Sequence, residues 1–98
     1  MNLKDISAIA SPACSEFGVK RLEVFGSVAR GAFTDSSDVD LLVEFGEPDR
    51  APAKRFFGLL HYMEDKLGCT VDLLTVAGLR NPYFKKRVEQ EKVTIYEG

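Results

Sequence analysis

Three aspartates stand where they could handle phosphate chemistry. Asp38 and Asp40 are two positions apart in the run Ser37-Asp38-Val39-Asp40-Leu41-Leu42-Val43, and Asp72 lies inside a later apolar run, Val71-Asp72-Leu73. On a strand, residues i and i+2 project from one face with Cα atoms about 6.5 to 7 Å apart, so one pair of carboxylates can flank or bridge divalent ions. Magnesium suits such a pair, since it takes hard oxygen ligands and is usually held by one or two carboxylates together with substrate phosphates. Two ions about 3.5 to 4 Å apart can stabilise the attacking and the leaving oxygen of an in-line phosphoryl displacement. A third carboxylate, for which Asp72 is the candidate, would help hold the ion that activates the nucleophile.

The complementary half is the turn Gly26-Ser27, which closes the apolar run Val24-Phe25 and opens Val28-Ala29-Arg30-Gly31. Glycine lets backbone approach a phosphate closely, and amides at a helix start together with the Ser27 hydroxyl can donate hydrogen bonds to it. Arg30 can contact a triphosphate or a partner protein, or it can pair with Asp35 or Glu44 as scaffold. Ser37 can touch a nucleotide, although shaping the loop before Asp38 is the simpler role.

The elements that must position these groups can be read in order. Leu3, Ile6, Ile9, Ala10, Ala13, Cys14 and Phe17 recur at helical spacing, with Asn2 as cap and Gly18 as stop. Pro12 interrupts that pattern, so the helix kinks there or a second one starts after Ser11. Val19 to Phe25 reads as a strand, Val28 to Gly31 as a helical turn, and Phe33 to Ser37 as a polar turn. Asp38 to Phe45 is a second strand, with Val39, Leu41, Val43 and Phe45 on one face and Asp38, Asp40, Leu42 and Glu44 on the other. Asp49 is placed to cap a long helix whose stripe is Phe56, Leu59, Leu60, Met63 and Leu67, stopped by Gly68. Thr70 to Thr75 is a third strand. Asn81-Pro82 opens a last helix carrying Tyr83, Phe84 and Val88 inward, and Val93 to Tyr96 closes as a strand. The expected class is therefore α/β (α+β), a small mixed β-sheet flanked by helices. The long helical crossover suits a parallel pair of the second and third strands, and the shorter link suits an antiparallel first pair. That arrangement brings the end of the first strand beside the starts of the second and third.

Composition sets the outer limits. With 98 residues, 45% of them hydrophobic and 29% charged, the chain fits one domain spanning 1–98. No run nears the roughly 18 apolar residues of a membrane helix, and the N-terminus lacks a secretory leader, so a cytoplasmic protein without membrane partners is expected. A net charge of −2 argues against strong nucleic-acid binding. Cys14 and Cys69 read as free thiols packed as small hydrophobes. Lys85-Lys86-Arg87 and the group Arg50, Lys54 and Arg55 read as solvated helix faces, His61 as a surface residue, and Glu44 as a solvated strand position.

Taken singly, a Gly-Ser pair or an Asp-x-Asp pair is weak. Their order and spacing together, Gly26-Ser27, ten residues, then Asp38-x-Asp40, resemble the signature of the DNA polymerase β-like nucleotidyltransferase superfamily. The fuller match, from Phe25 to Gly31 and from Ser37 to Val43, is similar to its minimal nucleotidyltransferase (MNT) branch, and Val71-Asp72-Leu73 and Ile95-Tyr96-Glu97 extend the likeness over nearly the whole chain. The resemblance implies a nucleotidyltransferase fold with Asp38, Asp40 and Asp72 as catalytic and magnesium-binding residues, two ions being expected. It implies Gly26, Ser27, Arg30 and Ser37 on the nucleotide, and transfer of AMP from ATP to a hydroxyl. Members of that branch commonly act as antitoxins that adenylylate a tyrosine of a HEPN-domain toxin. A chain this short has little room to orient an acceptor, so a partner protein is expected to complete the site, and self-association stays open. The alternative is a non-catalytic antitoxin that masks its partner by complex formation.

Overall fold

The computed structural model describes residues 2–32, 34 and 38–98. Helix α1 (Leu3–Glu16) starts where the Asn2 side chain accepts from the Asp5 amide, and it passes through Pro12 as one helix, with no second start at Ser11. Pro12 lies on its exposed side. The Ser11 hydroxyl instead donates to the Ser7 carbonyl one turn back. Strand β1 (Val19–Phe25) runs directly into the single turn α2 (Gly26–Ala29), and β2 (Val39–Phe45) follows. The polar turn expected over Phe33 to Ser37 falls largely outside the described residues.

Helix α3 (Pro52–Leu67) begins without the side-chain cap expected from Asp49. Its N-cap position is Ala51, in left-handed conformation, and proline in the first turn has no amide to be satisfied there. Strand β3 (Val71–Thr75) and a 3-10 turn (Val76–Gly78) lead to α4 (Pro82–Glu91) and β4 (Val93–Glu97). The sheet order is β3-β2-β1-β4. β1 is antiparallel to both β2 and β4, while β2 and β3 are parallel. The sheet is therefore mixed, as the connection lengths demand.

One face of the sheet carries the main core, where Ile6, Ala10 and Cys14 of α1 and Leu59 and Met63 of α3 meet Leu22, Val24, Val39, Leu41 and Val43. Phe25, Leu42, Leu79 and Val88 form a second, smaller cluster. Leu42, placed by strand alternation beside Asp40, is thus covered rather than solvated. Tyr83 and Phe84 depart from their expected inward positions, at 82% and 39% exposed, whereas Val88 is 1% exposed. Helical spacing makes Tyr83 the more exposed of the two: Phe84 shares a face with Val88 at i+4, and Tyr83 points a third of a turn away.

Arg55 also departs from its expected solvated place. It is 5% exposed, lies over the Phe45 ring, and donates to carbonyls of Phe17, Gly18, Gly46 and Glu47. It joins the turn before β1 to the end of β2. Cys14 and Cys69 are free thiols, and burial pushes the Cys14 thiol up to about 12. No helix is long and apolar enough to cross a membrane among the described residues.

Candidate active site

The antiparallel register sets Phe25, the last residue of β1, opposite Asp40 near the start of β2. The parallel register then sets Asp40 opposite Asp72. The chain turns at Gly26 with φ +73°, and a Cβ added there would collide with the Asp40 carboxylate. Glycine is thus required twice over, for the left-handed turn and for the close approach of the carboxylate to backbone. A cavity of about 360 Å³ opens at this sheet edge, and Gly26, Ser27, Arg30, Asp38, Asp40 and Asp72 all line it. Six of the seven positions singled out in the sequence are therefore brought together, and Ser37 lies outside the described residues.

Asp38 immediately precedes β2 rather than belonging to it, and like Asp72 it is exposed. Asp40 is the most enclosed of the three. Burial and the neighbouring carboxylates of Asp72 and Asp38 push its pKa up from the usual range, while Arg30 pulls against them and Glu91 adds to the rise. Among the described residues no three acidic, histidine or cysteine side chains converge closely enough to hold an ion by themselves. The donor set nevertheless fits a hard divalent cation that completes its shell with substrate phosphate and water, because like charges crowd Asp40 and a cation would relieve them.

Arg30 does not pair with Glu44, and its other expected scaffold partner, Asp35, lies outside the described residues. The Arg30 guanidinium meets Glu91 of α4 at 3.1 Å. Glu44 instead faces Lys20 at 3.9 Å; four residues beyond Asp40, it sits roughly 13 Å along the strand from the acidic cluster. What the sequence reading missed is α4 as a wall of the site: Phe84, Arg87, Val88 and Glu91 line the cavity too. Their spacing of i, i+3, i+4 and i+7 is the signal of one helix face. Its mixture of an aromatic, two opposite charges and a valine concealed the pattern.

A mixed sheet that presents a Gly-Ser turn and strand-borne aspartates at one edge defines the class of the nucleotidyl-transferring enzymes. The chain belongs to the nucleotidyltransferase domain family, which it matches over residues 6–95. It is similar to the protein adenylyltransferase MntA of Thermococcus cleftensis, with 37% identity over 86 residues, 83% of this chain and 84% of that protein. Among solved structures, one provisionally described as a minimal nucleotidyltransferase superposes with a TM-score of 0.76 at 34% identity, covering 95% of each chain. A chain from the structure of a tri-AMPylated Shewanella oneidensis HEPN toxin in complex with MNT antitoxin gives a TM-score of 0.69 at 13% identity, covering 98% of this chain and 73% of that one. At that identity the likeness is one of fold.

Proposed function

We propose that this chain transfers AMP from ATP to a tyrosine hydroxyl of a HEPN-domain toxin and thereby acts as its antitoxin. The acceptor oxygen attacks the α-phosphorus, the bond from that phosphorus to the oxygen bridging to the β-phosphate breaks, pyrophosphate leaves, and the acceptor proton passes to solvent. Asp38 and Asp40 would hold magnesium, with Asp72 beside them, and Gly26 and Ser27 would receive the phosphates. When bound, magnesium supplies charge stabilisation to the transferring phosphoryl group. The observation that carries the reading is Asp40, crowded by Asp72 and Asp38 and packed against Gly26. A protein acceptor is favoured because the site lies open, with Asp38, Asp72 and Arg30 all exposed. The likeness to a named protein adenylyltransferase points the same way.

The test mixes the chain with ATP, magnesium and the product of the adjacent gene, and weighs that product by mass spectrometry. An AMP adduct with wild type, lost with Asp40→Ala, is expected. If protection from the toxin survives in the Asp38→Ala, Asp40→Ala double variant, with the complex formed and no adduct present, neutralisation works by masking and catalysis is not its cause.

A further inference from the structure

Glu91 stands between two arginines in the same cavity. Its Oε1 lies 3.1 Å from Arg30 Nη1 and 4.0 Å from Arg87 Nη2. Arg30 comes from the end of α2, whereas Arg87 comes from α4, one turn before Glu91. Both guanidiniums are well exposed, at 49% and 69% of the side chain, and the Glu91 carboxylate at 24% is less so. Water can solvate either arginine, so the fold has little need of this bridge. A guanidinium fork matches carboxylate and phosphate oxygens alike. Two guanidiniums beside one carboxylate oxygen are therefore a place where phosphate oxygens fit.

The order of groups along the cavity indicates which phosphates. Arg30 is near enough to Asp40 to oppose the rise in its pKa, and Arg87 is the more exposed of the two. Arg30 is thus the arginine whose charge Asp40 feels, and Arg87, with 69% of its side chain exposed, is the one more open to solvent. We infer that Arg30 and Arg87 clamp the terminal phosphates of a nucleoside triphosphate, and that Glu91 is the resident counter-anion which those phosphates displace. The inference rests on ATP being the donor. It assigns Arg87 as a binding residue and Glu91 as the anion that occupies the two arginines in the ligand-free chain and competes with the nucleotide for them. It also supplies a basis for preferring a triphosphate to a monophosphate, because AMP has no phosphate to reach the outer arginine.

Titration calorimetry of the intact chain with magnesium ATP and with AMP tests this, using thermal unfolding to confirm that each variant is folded. Arg87→Ala is expected to weaken ATP binding about fivefold or more and to leave AMP binding within about twofold, with Arg87→Lys recovering part of the loss. Glu91→Gln is expected to tighten ATP binding about two- to fivefold, since it removes the competitor while keeping the shape of the side chain. Unchanged ATP binding in Arg87→Ala, equal weakening of ATP and AMP, or weaker ATP binding in Glu91→Gln would each overturn the clamp while leaving ATP as donor. A wild-type chain that binds no ATP overturns the donor assignment, and the clamp with it.

Discussion

Asp40 and Asp72 are register partners across the parallel β2–β3 pair, which sets their backbones about one strand spacing, 4.8 Å, apart. Burial raises the pKa of Asp40, and repulsion from the neighbouring Asp72 carboxylate adds to the rise. Asp40→Asn should therefore lower nucleotidyl transfer about a hundredfold or more, yet raise the melting temperature of the ligand-free chain. The pH dependence has a definite sign. A carboxyl whose folded pKa is raised contributes stability below its unfolded pKa, and that contribution is lost as pH rises through the folded value. Ligand-free wild type should lose stability over that interval relative to Asp40→Asn, and magnesium should narrow the gap above it. Melting curves at stepped pH, with and without magnesium, check all three statements.

Gly26 and Gly31 both hold φ +73°, but a Cβ would meet the Asp40 carboxylate at Gly26 and nothing within 4 Å at Gly31. Alanine at either position pays for the left-handed backbone, about 1 kcal/mol. Only Gly26→Ala must also displace Asp40, so its cost should reach about 2 to 3 kcal/mol and its transfer activity should collapse. Gly31→Ala should keep most of its activity. Urea unfolding and a transfer assay on the pair separate backbone strain from damage to the site.

Strand and helix identities were legible because each local signal agreed with the tertiary outcome. Val19 to Phe25 is rich in Val, Leu and Phe and stops at a glycine, and Asn81-Pro82 is both cap and first turn. The acidic residues were legible for the same reason, since strand period alone puts Asp40 on the face away from Val39 and Leu41. Two features depended on long-range packing. Arg55 reads as one more charge on a solvated helix until the carbonyls of Phe17, Gly18, Gly46 and Glu47 are brought around it by the sheet. Arg87 and Glu91 read as a solvated face until α4 is laid beside the end of α2.

Cys14 is fully buried in the main core, and its thiol is pushed up to about 12. It should resist alkylation at pH 8 in the native chain and react on unfolding, while Cys69, half-buried, reacts first. Mass spectrometry of pulse-labelled peptides reads both. The same shift predicts alkaline destabilisation: the contribution is intact below pH 9, where the unfolded thiol is also protonated, and declines by about 1.4 kcal/mol per pH unit from there towards 12. Cys14→Ala should be less stable at pH 8 because of the lost volume, and should show a shallower decline above pH 9.

Arg55 should behave as a structural residue remote from the chemistry. Its guanidinium donates at 2.8 Å to Gly46 and 2.7 Å to Glu47, and also reaches Phe17 and Gly18. It therefore ties the start of β1 to the end of β2, opposite the edge that carries Gly26 and Asp40. Arg55→Met keeps the length of the stem and removes the donors; the Gly18 and Glu47 carbonyls keep the amides of Gly46 and Arg50, whereas those of Phe17 and Gly46 lose the donor Arg55 supplies. A loss of about 2 to 4 kcal/mol in urea unfolding is expected. Arg55→Lys should recover part of it, since an ammonium can reach one or two of the carbonyls and lacks the planar fork that spans them. At a temperature where each variant remains folded, transfer per folded molecule should match wild type. A fall in specific activity in Arg55→Lys without a change in folded fraction would place Arg55 in the function of the site instead.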